Sequence, residues 1–262
     1  MLTLYDNPFS PFTRKVRMVL DHKGLAFESI DALAKTEHAR LLQVNPRGEA
    51  PVLVDDGLVV VDSSDIVAYL EDRYPDPPVM PADPARRAAA RAWQRCADTV
   101  LDAIIHDLSI WTWPTHQRPD TPPAGLLEAG QRDIAVILGR LERALPEDGY
   151  LCGDVSAADF ALFPHLSALR VLGLSPDAAA FPRLARWNAR MRSCPAVRVD
   201  LDRVKRAVAE KFGHGPSPYE GDKIVWRGDR LEWLFSRGFY EWWRRELDEG
   251  RVVIPTLPAS VT

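Results

Sequence analysis

The stretch PDPPVMPADP at residues 75–84 divides the chain into two parts with different sequence patterns. Before it, short apolar runs that suit β-strands alternate with amphipathic helical segments. After it, nearly all of the apolar periodicity is helical, and prolines at this density interrupt both kinds of element. The sequence therefore predicts an α/β domain at residues 1–76, a linker at residues 77–84 and an all-helical bundle domain at residues 85–212.

The segment before the linker gives strand and helix signals in the order βαβαββα. The pair Asp56-Gly57 between two apolar runs predicts a hairpin turn, and the cap cluster at residues 62–64 begins the last helix. A small mixed sheet with helices on its faces is the pattern of a thioredoxin-like domain. Strands are predicted at residues 2–5, 25–30 and, as a pair, 51–61, and helices at 36–42, at 62–74 and before Gly24.

After the linker, Asp83 as N-cap and Pro84 at the first helical position predict the start of a long helix. Its apolar stripe is predicted to consist of Trp93, Cys96, Val100, Ile104, Leu108 and Trp111. Further helices are predicted at residues 125–145, 157–172, 182–193 and 195–211. Their connections are short, as in helical bundles.

Composition and charge exclude several classes of function. The formal net charge is 33 − 37 = −4, so the protein lacks the positive field of a nucleic-acid-binding protein. No apolar run reaches the roughly 18 residues of a membrane span, and the N-terminus has no signal-peptide pattern, so we expect no membrane contact and a cytoplasmic protein. Three widely spaced cysteines and the lack of paired histidine motifs predict reduced thiols and no metal.

Ser10-Pro11 lies between the first predicted strand and the first predicted helix. As structure alone, it is a serine N-cap followed by proline, a common way to begin a helix. A hydroxyl at a helix N-terminus can also donate a hydrogen bond to a bound thiolate, which the helix dipole stabilises further. The residues alone leave both roles open.

Two other segments have the same double interpretation. Asp62-Ser63-Ser64 is an ordinary cap cluster, but its hydroxyl and free N–H groups could receive a ligand carboxylate while the acidic side chain receives an amine. The loop NPRGEAP at residues 45–51 ends in a proline directly before a strand, which makes Pro51 a candidate cis residue. A cis bond there would open the backbone of Ala50 to pairing with an extended peptide.

Together, these segments resemble the cytosolic glutathione transferases over residues 1–212. SPFTRKVR at residues 10–17 is similar to the S-P-F-x-x-[RK]-V-R opening of serine-type (tau-, theta- or zeta-like) members. NPRGEAP at 45–51 resembles the N-P-x-G-x-V-P loop, and DSSDIVAYL at 62–70 resembles [ED]-S-x-x-I-x-x-Y-L. GDVSAADF at 153–160 is similar to a segment of the family's helical half, where Ser156 and Asp159 form a structural capping box.

The resemblance implies a role for each matching residue. Ser10 would stabilise the glutathione thiolate, Ala50 with the cis residue Pro51 would pair with the cysteinyl backbone, and Ser63 would bind the γ-glutamyl carboxylate with Asp62 beside it. No metal is needed for this chemistry.

The glycyl carboxylate of glutathione has no evident ligand in the sequence. Glu49 stands where many relatives carry Lys or Gln, and it would repel a carboxylate if it pointed inward. The cation is therefore expected to come from Arg40, Arg47 or His38, and His38 is our prediction.

The resemblance also implies the reaction and the partners. Glutathione is the co-substrate, and its sulfur attacks a small hydrophobic electrophile in a conjugation or in a substitution such as dehalogenation or ether cleavage. The electrophile is predicted to lie between the first loop and the long helix, with Phe12 and Trp111 as wall residues. A homodimer is expected.

Residues 213–262 form an extension beyond the family's common core and hold four of the eight tryptophans. A stripe of Phe235, Phe239 and Trp242 predicts one more helix there. Such an aromatic segment is expected to be packed, either as a lid over the electrophile or against the helical domain or a neighbouring subunit.

Two alternative functions have different requirements. Glutathione-dependent disulfide or dehydroascorbate reduction normally needs a cysteine at the position of Ser10. A non-catalytic, dimeric ligand-binding or scaffolding protein is supported by Glu49 and by the C-terminal extension.

Overall fold

A computed structural model of the chain describes residues 1–32, 34–109, 124–213 and 240–250. The N-terminal part contains, in chain order, β1 (Leu2–Asp6), α1 (Pro11–His22), β2 (Phe27–Asp31), α2 (Lys35–Val44), β3 (Val52–Asp55), β4 (Leu58–Val61) and α3 (Ser63–Arg73). The strands form one sheet in the order β2-β1-β3-β4, in which β1 and β2 are parallel and the other neighbours antiparallel. The predicted order βαβαββα and the thioredoxin-like α/β class are confirmed.

The two central strands are apolar on both faces of the sheet. Tyr5 and Val52 are opposite each other and pack with Leu41 of α2. Because successive side chains of a strand alternate between faces, Leu4 and Leu53 point to the opposite face, and both are fully buried. The predicted hairpin turn has positive φ at Asp56 (46°) and Gly57 (92°), as a two-residue turn between twisted strands requires.

The rest of the chain is helical where it is described. After α4 (Pro84–Arg95) come a π-helical segment (Cys96–Leu101), α5 (Asp102–Ser109), α6 (Leu126–Ala144), α7 (Ala157–Ala168), α8 (Pro182–Ser193), α9 (Pro195–Phe212) and α10 (Tyr240–Asp248). The α/β plus all-α class is thus confirmed. None of the described helices is long and apolar enough to cross a membrane.

The predicted stripe of the long helix is partly wrong. Trp93 and Leu108 are buried, but between them the buried apolar positions are Ala97, Leu101 and Ile105, whereas Cys96, Val100 and Ile104 are only half-buried. In a continuous α-helix, the repeated steps of four from Trp93 through Ala97 and Leu101 to Ile105 would each rotate about 40° past a full turn and leave the core face. The π-helical segment holds an extra residue and takes up this excess.

Thr99 of the π-helical segment bonds to the turn before it. Its hydroxyl donates to the carbonyl of Arg95, four residues earlier, at 2.8 Å. A side-chain donor at this carbonyl competes with the backbone N–H that an α-helix would bring there.

Helix α7 ends earlier than the sequence predicts. It was expected to run to residue 172, but it stops at Ala168. The amide of Leu174 donates to the carbonyl of Leu169 at 2.8 Å, and Gly173 has a φ of 70°, so the chain turns away from the helix axis there.

Contacts divide the chain into two units, Met1–Pro218 and Tyr219–Thr262. The first contains the sheet and the helices through α9, and the second contains α10. The predicted boundaries at residues 76, 84 and 212 stay predictions. Trp111, Phe235 and Phe239 lie outside the described residues, and so does the predicted lid or packing of the tail.

Helix α1 joins the sheet to the helices from α4 to α9, called the helical part below, since it packs against α3, α7 and α9. Three of its basic side chains are buried: Arg14, Lys15 and Arg17. Arg14 and Arg17 both bind Asp200 of α9, and Lys15 Nζ lies 2.5 Å from Asp98 of the π-helical segment. Further ion pairs between Arg203 and Asp21 and between Lys211 and Asp31 continue this contact along α9.

Candidate functional site

The register of the sheet brings the three predicted site segments to one edge. Tyr5, near the end of β1, is paired with Val52 at the start of β3, and Val52 is paired with Val61 at the end of β4. The loop that leads to Ser10, the loop that ends at Pro51 and the start of α3 at Ser63 therefore follow or precede the strands at this same edge.

Ser10 is the N-cap residue of α1, and Pro11 is the first helical residue, as predicted. Its backbone N–H donates to the carbonyl of Asn7 at 3.1 Å and to Asn7 Oδ1 at 3.3 Å. Within the described residues, its side chain makes no capping hydrogen bond to the helix. The hydroxyl is thus left for another acceptor at the positive end of a 12-residue helix.

The loop at residues 45–51 is held in a turn by Asn45. Its Nδ2 donates to the carbonyl of Glu49 at 2.9 Å, and its Oδ1 accepts from the amide of Arg47 at 3.2 Å. Gly48 has a φ of 67°, which a side chain would disfavour. The Ala50–Pro51 bond is cis, as the loop sequence indicates.

The acidic residue of this loop is paired with a base. Arg47 Nε lies 2.8 Å from Glu49 Oε2, and Arg47 Nη2 lies 3.0 Å from Oε1, so the pair is bidentate. The negative charge of Glu49, which would repel a ligand carboxylate, is therefore partly offset by Arg47. Arg40 Nη1 lies 2.7 Å from Glu37 Oε2. The exposed ring of His38 lies beside Gly48, since its Cε1 would be 3.5 Å from a Cβ atom added to that glycine.

The start of α3 differs from the start of α1, although both were predicted as caps. Asp62 accepts a hydrogen bond from the amide of Ser64 at 2.7 Å, so its carboxylate does cap the helix. Its φ of 69° is unusual for a residue with a side chain. Ser63 follows as the first helical residue and is buried. Backbone strain of this kind is common where a ligand is bound.

A polar cluster behind α3 was missed by the sequence analysis. The hydroxyl of Ser64 donates to Asp98 at 3.0 Å and accepts from Gln94 Nε2 at 2.9 Å, while Lys15 Nζ binds Asp98 at 2.5 Å. Four polar side chains from four segments thus hold the start of α3 against the helical part. No spacing within the sequence indicates that Gln94 and Asp98 meet Ser64.

The predicted electrophile wall is described only in part. Phe12 is half-buried, and its ring lies edge-on to the ring of His165, with centroids 6.1 Å apart. Phe9, next to Ser10, contacts Phe212 at the end of α9, with ring centroids 5.7 Å apart. These rings form an apolar surface near Ser10 that a hydrophobic ligand can contact. Trp111 lies outside the described residues.

No group of three or more potential metal ligands occurs in the described parts of the chain. All three cysteines are free thiols. Burial raises the pKa of Cys152 to about 11, and burial likewise raises the pKa of Cys96. Neither of these two cysteines has the lowered pKa of a reactive thiol.

Comparisons with known proteins agree with this geometry. Family models for the N-terminal and C-terminal domains of glutathione S-transferases match residues 4–78 and 105–195. A probable glutathione S-transferase, BZ2 of Zea mays, is 31% identical over 221 residues, which cover 76% of this chain and 89% of the relative. FtsZ-localized protein A of Caulobacter vibrioides is 29% identical over 203 residues, covering 75% and 89%.

Among solved structures, the beta-etherase LigF from Sphingobium sp. strain SYK-6 is similar with a TM-score of 0.66. Its identity to this chain is 26%, and the match covers 77% of this chain and 98% of LigF.

Proposed function

Because the chain belongs to the glutathione S-transferase family, we propose that it binds glutathione along the sheet edge described above and transfers it to a hydrophobic electrophile. The observation that carries this proposal is Ser10, whose hydroxyl does not cap α1 within the described structure. The cysteinyl backbone of glutathione would pair with Ala50 beside Pro51, and the γ-glutamyl carboxylate would lie at Ser63, with Asp62 near its amine. His38 is the proposed cation for the glycyl carboxylate.

The energy needed at Ser10 is modest. A free thiol has a pKa of ~8.5, and lowering that pKa by about two units takes about 2.7 kcal/mol of preferential binding of the thiolate. One hydrogen bond to a charged group contributes about 1.5–3 kcal/mol, and the helix dipole adds about 0.3–1 kcal/mol. Ser10 at the start of α1 therefore suffices without a metal or a general base.

The reaction proposed is a displacement or an addition. The glutathione sulfur forms a bond to an electrophilic carbon, and that carbon loses a halide or an aryl oxide, or an activated double bond takes up the sulfur and a proton. Ethers are the first electrophiles to test, since the chain is similar to the beta-etherase LigF. Phe9 and Phe12 provide apolar surface next to Ser10 for such an electrophile.

The substitution Ser10→Ala tests the proposal. It is expected to raise the pKa of the bound thiol by about one to two units and to lower turnover near neutral pH by about 10–100-fold. Ultraviolet absorbance of the thiolate over a pH titration gives the first quantity, and steady-state kinetics give the second. If Ser10→Ala leaves both unchanged, Ser10 does not hold the thiolate.

Asp83→Ala is the matched control. Asp83 caps α4 by accepting from the amide of Arg86 at 2.8 Å, so its loss should cost about 1 kcal/mol of stability and leave the thiol pKa unchanged. Ser10→Ala should change the free energy of unfolding by less than about 0.5 kcal/mol, because no capping bond is lost.

A second candidate function is a non-catalytic binding or scaffolding protein. It is favoured by the similarity to a protein named for its localisation with FtsZ. Calorimetry with glutathione separates the two functions. A protein that binds glutathione without lowering its thiol pKa, or that does not bind it, has the second function.

We also propose a homodimer in the cytoplasm. The edge strand β4 exposes Leu58, Val59 and Val61, which is apolar surface that a second copy could cover. Light scattering should then give a mass of twice the 29.4 kDa of one chain.

A further inference from the structure

Arg17 lies beneath the loop that carries Ser10. It is on the second turn of α1, its side chain is 1% exposed, and its guanidinium uses every nitrogen. Nη1 donates to both oxygens of Asp6, at 2.9 and 2.8 Å. Nε and Nη2 donate to Asp200 Oδ1, at 3.0 and 2.6 Å, and Nη2 also donates to the carbonyl of Pro8 at 3.2 Å.

Two of these partners, Asp6 and Pro8, lie at the end of β1 and in the loop that follows it. Asp6 is the last residue of β1 and also accepts from the hydroxyl of Ser29 at 3.0 Å. Pro8 lies two residues before Ser10. Asn7 lies between Asp6 and Pro8, and its Oδ1 accepts from the amides of Phe9 and Ser10. Arg17 thus fixes the residues on both sides of Asn7, and Asn7 fixes the backbone of Ser10.

We propose that Arg17 is a positioning residue for Ser10, which rests on the thiolate-binding role proposed above. A serine hydroxyl reaches an acceptor only within about 2.5–3.2 Å, so a small displacement of its backbone weakens the hydrogen bond. Arg17 prevents this displacement by joining Asp6, Pro8 and Asp200 in one planar contact. It acts on the thiolate through the loop and touches neither substrate.

The effect is geometric rather than electrostatic. Arg14, Arg17, Asp6 and Asp200 carry two positive and two negative charges, so the cluster has no formal net charge. Burial alone lowers the pKa of Arg17, but the charges of Asp200 and Asp6 outweigh it and raise that pKa, which keeps the guanidinium charged. Lysine retains the charge but not the fork of donors, so Arg17→Lys removes the geometry selectively.

Arg14 provides a matched control within the same cluster. Its Nε binds Asp200 Oδ2 at 2.8 Å and its Nη1 binds Ser167 at 3.3 Å. Both partners lie on helices of the helical part, and among the described contacts the Arg14 side chain has none with residues 6–10. The backbone amide of Arg14 donates to the carbonyl of Ser10 at 3.0 Å, and Arg14→Lys keeps this bond. Arg14→Lys therefore disturbs the same buried acid without disturbing the Ser10 loop.

The experiment compares Arg14→Lys and Arg17→Lys in the full-length protein. Both variants are expected to lower the free energy of unfolding in urea. Only Arg17→Lys should raise the pKa of glutathione's thiol in the complex, by about one unit, which is about a tenfold loss of kcat near neutral pH that is recovered at alkaline pH. The KM for glutathione should change less than about twofold, since its carboxylates are bound elsewhere.

Hydrogen exchange at the amides of Phe9 and Ser10 provides a readout that does not depend on glutathione. It should be faster in Arg17→Lys than in Arg14→Lys or the wild type. Equal exchange in the two variants, or an equal shift of the thiol pKa, overturns the role of Arg17. A wild type that leaves glutathione's thiol pKa unaltered overturns the proposed function instead, while the exchange data still decide whether Arg17 holds the loop.

If Arg17→Lys does not fold, Asp6→Asn replaces it. This variant keeps the shape of the side chain but weakens the contact between Asp6 and Arg17, so the same rise in thiol pKa and the same faster exchange are expected at smaller size. Unchanged exchange at Ser10 in a folded Asp6→Asn variant also contradicts the proposal.

Discussion

His165 is a titratable residue held at the junction of the sheet part and the helical part. It is buried, its ring packs edge-on to Phe12, and its Nδ1 lies 3.8 Å from Asp102 Oδ1. Burial, and after it the charges of Lys15 and Arg14, lowers the pKa of His165 to about 3. The folded protein therefore holds this imidazole neutral at neutral pH.

This lowered pKa predicts acid sensitivity. The unfolded chain takes up a proton on this histidine as the pH falls through about 6.5, whereas the folded chain does not until about 3. The contribution of His165 to the free energy of unfolding is therefore complete above about pH 6.5, and it falls by about 1.4 kcal/mol per pH unit below that pH. His165→Asn is expected to be less stable than the wild type near neutral pH, and to lose stability with a shallower slope between pH ~6 and ~4 in urea titrations. An unchanged slope would show that His165 is not the responsible group.

At the candidate site, the sequence indicates which residue types stand at the helix starts but not the hydrogen bonds that each side chain makes. Ser10 and Asp62 are both favourable N-cap residues, and only the structure shows that Asp62 caps its helix while Ser10 does not. Glu49 was expected to repel a carboxylate, yet Arg47, two residues away, pairs with it. Such differences depend on side-chain direction, which periodicity does not encode.

At the scale of elements, the linker is attached to α1 and α3 by one buried ion pair. Lys23 Nζ, just after α1, binds Glu71 of α3 at 2.8 Å and the carbonyls of Tyr74 and Pro77 at 2.7 and 2.9 Å. Glu71 in turn accepts from the amides of Val79 and Met80. The chain between the two parts is therefore fixed to the sheet part.

Lys23→Met is expected to destabilise the protein by about 3–5 kcal/mol, because it leaves the Glu71 carboxylate and two carbonyls without their buried cation. Chemical denaturation measures this loss. Arg40→Met is the control, since it removes an exposed pair with Glu37 and should cost less than about 1 kcal/mol. Equal losses in the two variants would contradict the importance of burial at Lys23.

Helix bounds were predictable where a local signal marks them. Helix α8 has the predicted range, and α9 differs by one residue, because Pro182 and Pro195 stand at the first helical positions. Helix α7 was predicted four residues too long, because its apolar residues continue past Ala168 and its end is set by a turn at Gly173. The first helical residue is thus better encoded than the last.

At the scale of the whole molecule, Asp200 joins the sheet part to the helical part. It is fully buried on α9 and receives three hydrogen bonds from Arg14 and Arg17 of α1. The partners are separated by more than 180 residues in sequence. Removal of this acid leaves two buried guanidinium groups without their common partner.

Asp200→Asn is expected to cost about 3–5 kcal/mol of stability. Thermal and urea unfolding should show this loss as a single earlier transition, since both parts depend on the contact. Glu147→Gln is the comparison, because Glu147 binds Arg183 and Arg186 at a side-chain exposure of 70% and should cost less than about 1 kcal/mol. A small effect at Asp200 would mean that the two parts are held by apolar packing instead.

This long-range contact was not predictable from a single sequence. Three basic residues within four positions of α1 indicate a solvated face, yet the helical part covers that face. Their acidic partners, Asp98 and Asp200, carry no local pattern that distinguishes them from exposed acids. The class and order of the two parts follow from periodicity, whereas their junction depends on tertiary packing.

The π-helical turn at Cys96–Leu101 has a consequence for how this chain can vary in length. The wider π-helical turn contains one extra residue, and the α-helices before and after it both keep their apolar faces toward the interior. An ancestor or an engineered form shortened by one residue there would wind as a continuous α-helix, with Trp93 and Leu108 still facing the interior. A length change of one residue, which elsewhere in a bundle would rotate everything downstream, is therefore accommodated within this turn.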